Sequence, residues 1–180
     1  MAPDKVAKAI EVFEATLITP APRFDQYLKG NAGVLSATEK QGLKLFMDNG
    51  CRGGHGGING GGSNYYPFGV MEKPGAEILP RGRQGPFRGP KTADDAYVFR
   101  APSLRNVALT APHSHSGKVW SLSQAVAIMG TRQLGEKLDD GEIAAIPAFL
   151  HTLTGEPPRV DYPILPVSTG TTSRPEPMTE

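Results

Sequence analysis

Two side chains of this sequence could act together on one chemistry: Cys51 and His55, in the run Gly50-Cys51-Arg52-Gly53-Gly54-His55-Gly56. A thiol is a nucleophile and a soft ligand, and an imidazole is a base and a nitrogen ligand. The spacing is one residue short of Cys-x-x-Cys-His, in which two thiols add across haem vinyl groups and the His binds the iron. Gly54 stands where the second thiol belongs. Spacing alone favours the plainer reading, a small buried Cys next to a loop His. A third reading makes Cys51 a reactive thiol assisted by His55.

These residues need elements to hold them. Val6, Ile10, Phe13 and Leu17 recur at helical spacing, which predicts an amphipathic helix from Asp4 to about Leu17, stopped by Thr19-Pro20-Ala21-Pro22. Ser36 and Glu39 form a capping box for a second helix with Leu43, Phe46 and Met47 on one stripe and Gly50 as its stop. That helix delivers the chain to Cys51. Ser121 and Gln124 form another capping box, for a helix bearing Leu122, Ala125, Val126 and Met129 and ending near Gly130. Asp139 and Glu142 open the last one, which runs through Phe149 and Leu153 to Gly155 with Pro147 inside it, where a kink is expected. Glycine and proline interrupt every pattern from 53 to 95, so that stretch reads as irregular, and 97–110 reads as extended and then turning.

Composition narrows the class. The chain has 180 residues, 22 Gly and 17 Pro, so loops make up much of its mass. Net charge is +1 with no basic stripe, which argues against nucleic acid or an anionic membrane surface as the main partner. No apolar run reaches the roughly 20 residues of a membrane span. A single Cys excludes a disulfide framework and a Cys-rich zinc site. The first residues lack the apolar core of a secretory signal, so the chain stays inside the cell or a leader has been removed. The glycines at 53–62 do not make a phosphate loop, because no Gly-Lys-Ser/Thr closes the run.

Longer blocks carry a resemblance. They are Phe24-Asp25-Gln26-Tyr27-Leu28, Phe99-Arg100-Ala101-Pro102-Ser103-Leu104-Arg105-Asn106, His115-Ser116-Gly117, Met129-Gly130 followed by Gln133-Leu134-Gly135, and Phe149-Leu150-His151-Thr152-Leu153-Thr154-Gly155. Over about residues 6–165 the chain resembles the C-terminal half of bacterial di-haem cytochrome c peroxidases, the family that includes MauG. The resemblance implies a mostly α, cytochrome c-like helical domain with long irregular Gly/Pro-rich loops. It divides the chain into a linker helix at 1–22, a haem domain at 23–157 and an extended arm at 158–180.

It also implies one haem c joined by a single thioether through Cys51, with His55 as the proximal and Met129 as the distal iron ligand. A thioether sulfur donates weakly and favours ferrous iron, which raises the potential as an electron-entry haem requires. Arg100 and Arg105 could pair with haem propionates, since guanidinium matches carboxylate in bidentate fashion; ordinary surface pairing is the alternative. The backbone carbonyls of Thr110 and Pro112 match calcium ligands of the family. The expected function is electron relay for the reduction of hydrogen peroxide to water by a cytochrome c peroxidase-type oxidoreductase. The donor would be a small cytochrome c or a cupredoxin, and the peroxidatic haem would sit on another domain or chain. Relatives are periplasmic and commonly dimeric, which extends both expectations to this chain. Departures from the family pattern are Gly54 and His113-Ser114, where relatives commonly carry two aromatic residues. The rival expectation is a structural or interaction subunit that has lost haem together with the second Cys.

Overall fold

The computed structural model describes residues 3–79, 97–160, 164 and 167–171. It divides into two compact units, one formed by Thr19–Pro157 and the other by Met1–Ile18 with Pro158–Glu180. In the smaller unit, α1 spans Pro3–Glu14, and its Val6, Ile10 and Phe13 are exposed. Most of the arm predicted at 158–180 lies outside the described residues, as does the 80–95 part of the irregular stretch.

The larger unit is helical: α2 (Arg23–Leu28), α3 (Ala37–Asp48), α4 (Leu122–Met129) and α5 (Asp140–His151). Of the two expected capping boxes, Ser36 and Glu39 exchange both bonds at the start of α3, whereas at α4 Ser121 Oγ accepts from the Gln124 N–H at 3.4 Å and the glutamine side chain makes no return bond among those of the described residues. Asp139 and Glu142 make a full box at the start of α5, satisfying N–H groups that a helix end otherwise leaves open. Pro147 lies buried inside α5. That helix ends at His151, four residues before Gly155, because Thr152 turns its hydroxyl onto the Phe149 carbonyl at 2.7 Å. The short helix α2 escaped the periodicity reading, since six residues are too few to display a 3.6-residue repeat.

α3 and α5 form the centre of the domain. Phe46, Ile146, Phe149, Leu150, Leu138, Leu104 and Leu153 make one buried cluster. Phe149 meets Phe24 edge to face at 5.2 Å and Phe46 at 5.4 Å. The two helices come so close at Gly42 that a Cβ there would sit 1.9 Å from the Ala145 carbonyl oxygen. Hence the glycine in mid-helix is a packing requirement and offsets its poor helix propensity.

Within the stretch read as irregular, Tyr65–Pro67 forms a strand, β1, antiparallel to β2 at Val98–Arg100, with Tyr66 opposite Phe99. Three residues, one of them proline, carry no alternation by which to recognise a strand. Among the described residues no helix is long and apolar enough to cross a membrane.

Candidate functional site

Cys51 begins the single 3-10 turn Cys51–Gly53 that follows α3, and it packs against the central cluster. Gly50, in the left-handed region at φ 77°, turns the chain out of the helix to reach it. The His55 N–H donates to the Cys51 carbonyl at 3.0 Å, so the two residues belong to one rigid turn. Burial pushes the Cys51 thiol above its ordinary range. Reactive cysteines need the opposite shift, so the geometry gives the thiol-reactive reading no support.

The His55 ring is half-buried, and its Nδ1 lies 3.2 Å from the Pro102 carbonyl oxygen. A carbonyl can only accept, so Nδ1 carries the proton in this bond. Burial lowers the imidazole below its usual range and so favours the neutral form, while the backbone at Pro102 and Gly60 opposes the shift. A neutral ring protonated on Nδ1 holds a lone pair on Nε2, the form a metal-ligating histidine takes.

The loop beyond His55 is fastened by the Pro102-Ser103-Leu104-Arg105-Asn106 block. Ser103 Oγ donates to the Asn59 carbonyl at 2.6 Å, and the Leu104 N–H donates to the Gly60 carbonyl at 3.0 Å. Arg105 donates from Nε and Nη2 to the Ile58 carbonyl at 3.0 and 2.8 Å and from Nη1 to Asp25 at 2.7 Å. Thus Arg105, for which the sequence left propionate pairing and ordinary surface pairing open, clamps this loop to α2. Asn106 adopts φ 59° and joins the two ends of the domain, donating to Thr19 Oγ1 at 2.8 Å and accepting from the Gly155 N–H at 2.9 Å. Sequence reasoning singled out the block but missed the roles of Pro102, Ser103 and Asn106, whose partners are distant in the chain.

Arg100 is different. Its Nε donates to the Gly62 carbonyl at 2.7 Å, and among the bonds of the described residues neither Nη atom has an acceptor. The residue lines a cavity of about 280 Å3 together with Asn59, Gly62, Pro102 and Ser103, next to the carbonyl that holds His55. A larger cavity of about 360 Å3 lies among Asp48, Asn49, Glu136 and Glu142 and contains none of the candidate ligands. Donor chemistry therefore locates the site better than cavity size does.

Met129 is the last residue of α4, half-buried, one turn beyond Val126, which packs on the same cluster as Cys51. Gly54 has φ −90° and ψ −33°, open to any L-residue, and a Cβ there would meet no atom within 4 Å. Thr110 closes the 3-10 turn Val107–Leu109, and the Ala111-Pro112 peptide is cis; both Thr110 and Pro112 are exposed. His113 pairs with Val119 through its backbone, and the His115 ring packs on Phe99 with centroids 4.5 Å apart. Trp120, just before α4, is 71% exposed.

A mostly helical domain carrying a Cys-His turn and a helix-terminal Met has close counterparts among known proteins. No protein-family model matches the chain. Cytochrome c551 peroxidase of Pseudomonas aeruginosa is 58% identical over 172 residues, 96% of this chain and 50% of that protein. Cytochrome c551 peroxidase of Nitrosomonas europaea is 40% identical over 174 residues, 97% of this chain and 51% of that protein. Among solved structures, a MauG-like protein associated with microbial copper homeostasis superposes with a TM-score of 0.65 at 29% identity, covering 76% of this chain and 49% of its own. The chain belongs to the cytochrome c peroxidase and MauG family. It spans about half the length of the curated relatives it matches.

Proposed function

We propose that this chain is the C-terminal, electron-transfer haem domain of a cytochrome c peroxidase-type oxidoreductase. The observation that carries the reading is the contact of His55 Nδ1 with the Pro102 carbonyl at 3.2 Å. A ring held there presents Nε2 as a ligand, on a turn that also carries the only cysteine. The chemistry of the donor set fits haem c: Cys51 could carry one thioether, His55 Nε2 and Met129 sulfur could bind the iron, and the Arg100 Nη groups could pair with a propionate. Haem c, when bound, supplies one-electron exchange between ferric and ferrous iron.

The chain's own residues shape that exchange. The Pro102 carbonyl fixes the His55 tautomer and ring plane. Met129 offers a soft, weak donor that favours the reduced state and so an electron-entry role. Arg105 and Ser103 hold the 56–62 loop beside the ring, so close that a Cβ on Gly61 would lie 3.2 Å from His55 Nδ1. The reduction of peroxide belongs to a second haem on another domain or chain, with electrons arriving from a small cytochrome c or a cupredoxin. A periplasmic site and a homodimer are proposed by kinship with the relatives. The carbonyls of Thr110 and Pro112 are proposed calcium ligands. Single-thioether attachment is favoured over haem loss because the turn and the His55 bond are intact without the second thiol.

Intact mass under denaturing conditions, with a visible spectrum of the same sample, tests the reading. A mass heavier by one haem together with a Soret band is expected. A bare polypeptide with no Soret band would return the chain to the haem-less structural class. Met129→Ala should abolish the far-red methionine-to-ferric-iron band and lower the potential, whereas an unchanged band and potential would remove Met129 from the ligand set.

A further inference from the structure

Beyond Met129 the chain does not simply leave the helix. It widens into one π-turn over Gly130–Leu134, a rare conformation that gathers at functional sites. Gly130 is buried, and a Cβ on it would lie 2.8 Å from Leu138 Cγ and 3.0 Å from the Glu136 carbonyl oxygen, so the turn is seated directly on the core. Its other side grips residues 67–72. Gln133 bonds twice to that segment: Nε2 donates to the Pro67 carbonyl at 3.2 Å, and Oε1 accepts from the Gly69 N–H at 3.0 Å. The Arg132 carbonyl, an open acceptor at a helix end, receives the N–H groups of Met71 and Glu72 at 3.2 and 3.3 Å. The Arg132 guanidinium pairs with Glu72.

The gripped segment connects to the other half of the site. Pro67 ends β1, β1 pairs with β2, and β2 runs through Ala101 to Pro102, whose carbonyl holds His55. One hydrogen-bonded path thus joins Met129 to His55 across the two-stranded ribbon.

We propose that Gln133 is a positioning residue for Met129. Its amide anchors the π-turn to the end of β1 and so fixes the backbone from which the methionine projects. The inference rests on the reading that Met129 sulfur is an iron ligand. A thioether on a flexible side chain is a weak donor, and it keeps its place only where the backbone leaves it little freedom. Gln133 touches no reacting atom and acts through the backbone alone.

The test uses the haem-loaded full chain, its Gln133→Ala and Gln133→Met variants, and Arg23→Gln as a comparison that weakens the fold through the Arg23–Glu39 pair, away from this ribbon. The readout is the affinity for added imidazole as it displaces the methionine, followed by loss of the far-red band. Both Gln133 variants should bind imidazole roughly tenfold more tightly than the wild type, as expected when two hydrogen bonds that favour the methionine-bound form are removed. Arg23→Gln should lower the melting temperature and leave imidazole affinity unchanged. Gln133→Met keeps the side-chain length and carries the test if Gln133→Ala does not fold. Wild-type affinity in a folded Gln133 variant would overturn the proposal, as would an equal shift in Arg23→Gln. A wild type with a Soret band but no far-red band would instead sink the Met129 assignment itself.

Discussion

Gly54 separates this chain from the two-thiol signature, and the surrounding turn has not adjusted to the glycine. Its φ of −90° needs no glycine, and the space where a Cβ would point is open. Gly54→Cys should therefore fold without strain and add a second thioether, the thiol proton and sulfur adding across the remaining vinyl group. Removing that vinyl from conjugation should shift the pyridine haemochrome band to shorter wavelength at unchanged haem content. A band that stays put would show that position 54 does not face a vinyl group. The residue that matters most beside His55 is Pro102, and it contributes a carbonyl that every residue type possesses. No scan of side chains could have pointed to it.

At the scale of elements, the α3–α5 pair and the loop clamp do the positioning. The turn at Cys51 starts three residues after α3 ends, so any shift of α3 against α5 moves the candidate ligands. Gly42→Ala tests this dependence. A methyl group 1.9 Å from the Ala145 carbonyl cannot be accommodated without separating the helices, and a loss of about 3 kcal/mol is expected by urea unfolding, at the upper end for overpacked sites. A loss below about 1 kcal/mol would mean that the helices separate easily. The starts of α3, α4 and α5 were legible because a cap is local, four residues long and chemically specific. The β1–β2 ribbon was not, since its pairing joins residues more than thirty positions apart.

Across the whole molecule, pH enters through Glu39. Arg23 bonds both of its carboxylate oxygens, at 3.0 and 2.5 Å, and holds its pKa below the usual 4.5; burial opposes the shift and the Ser36 cap assists it. A carboxylate with a depressed folded pKa contributes stability that is fully present above the unfolded value and is lost as pH falls through the folded one. The wild type should thus lose stability as pH drops below about 4.5, and Arg23→Gln should flatten part of that slope while lowering neutral-pH stability by roughly 1 kcal/mol, since Arg23 is itself 45% exposed. Equal slopes in the two proteins would show that Glu39 is not the titrating group.

The sequence by itself determined the helical class, the capped starts of α3, α4 and α5 and the family, because caps, periodicity and long matched blocks are local or linear signals. It also marked Cys51, His55 and Met129 as residues with the right chemistry. Tertiary structure decided what those residues can do. It holds the His55 proton on Nδ1 through a carbonyl 47 residues away, assigns Arg105 to the loop clamp while leaving the Arg100 Nη groups without an acceptor among the bonds of the described residues, and ties the turn after Met129 to the ribbon through Gln133. Each of those outcomes depends on backbone groups brought together from distant parts of the chain, and residue identity carries no record of where a carbonyl will point.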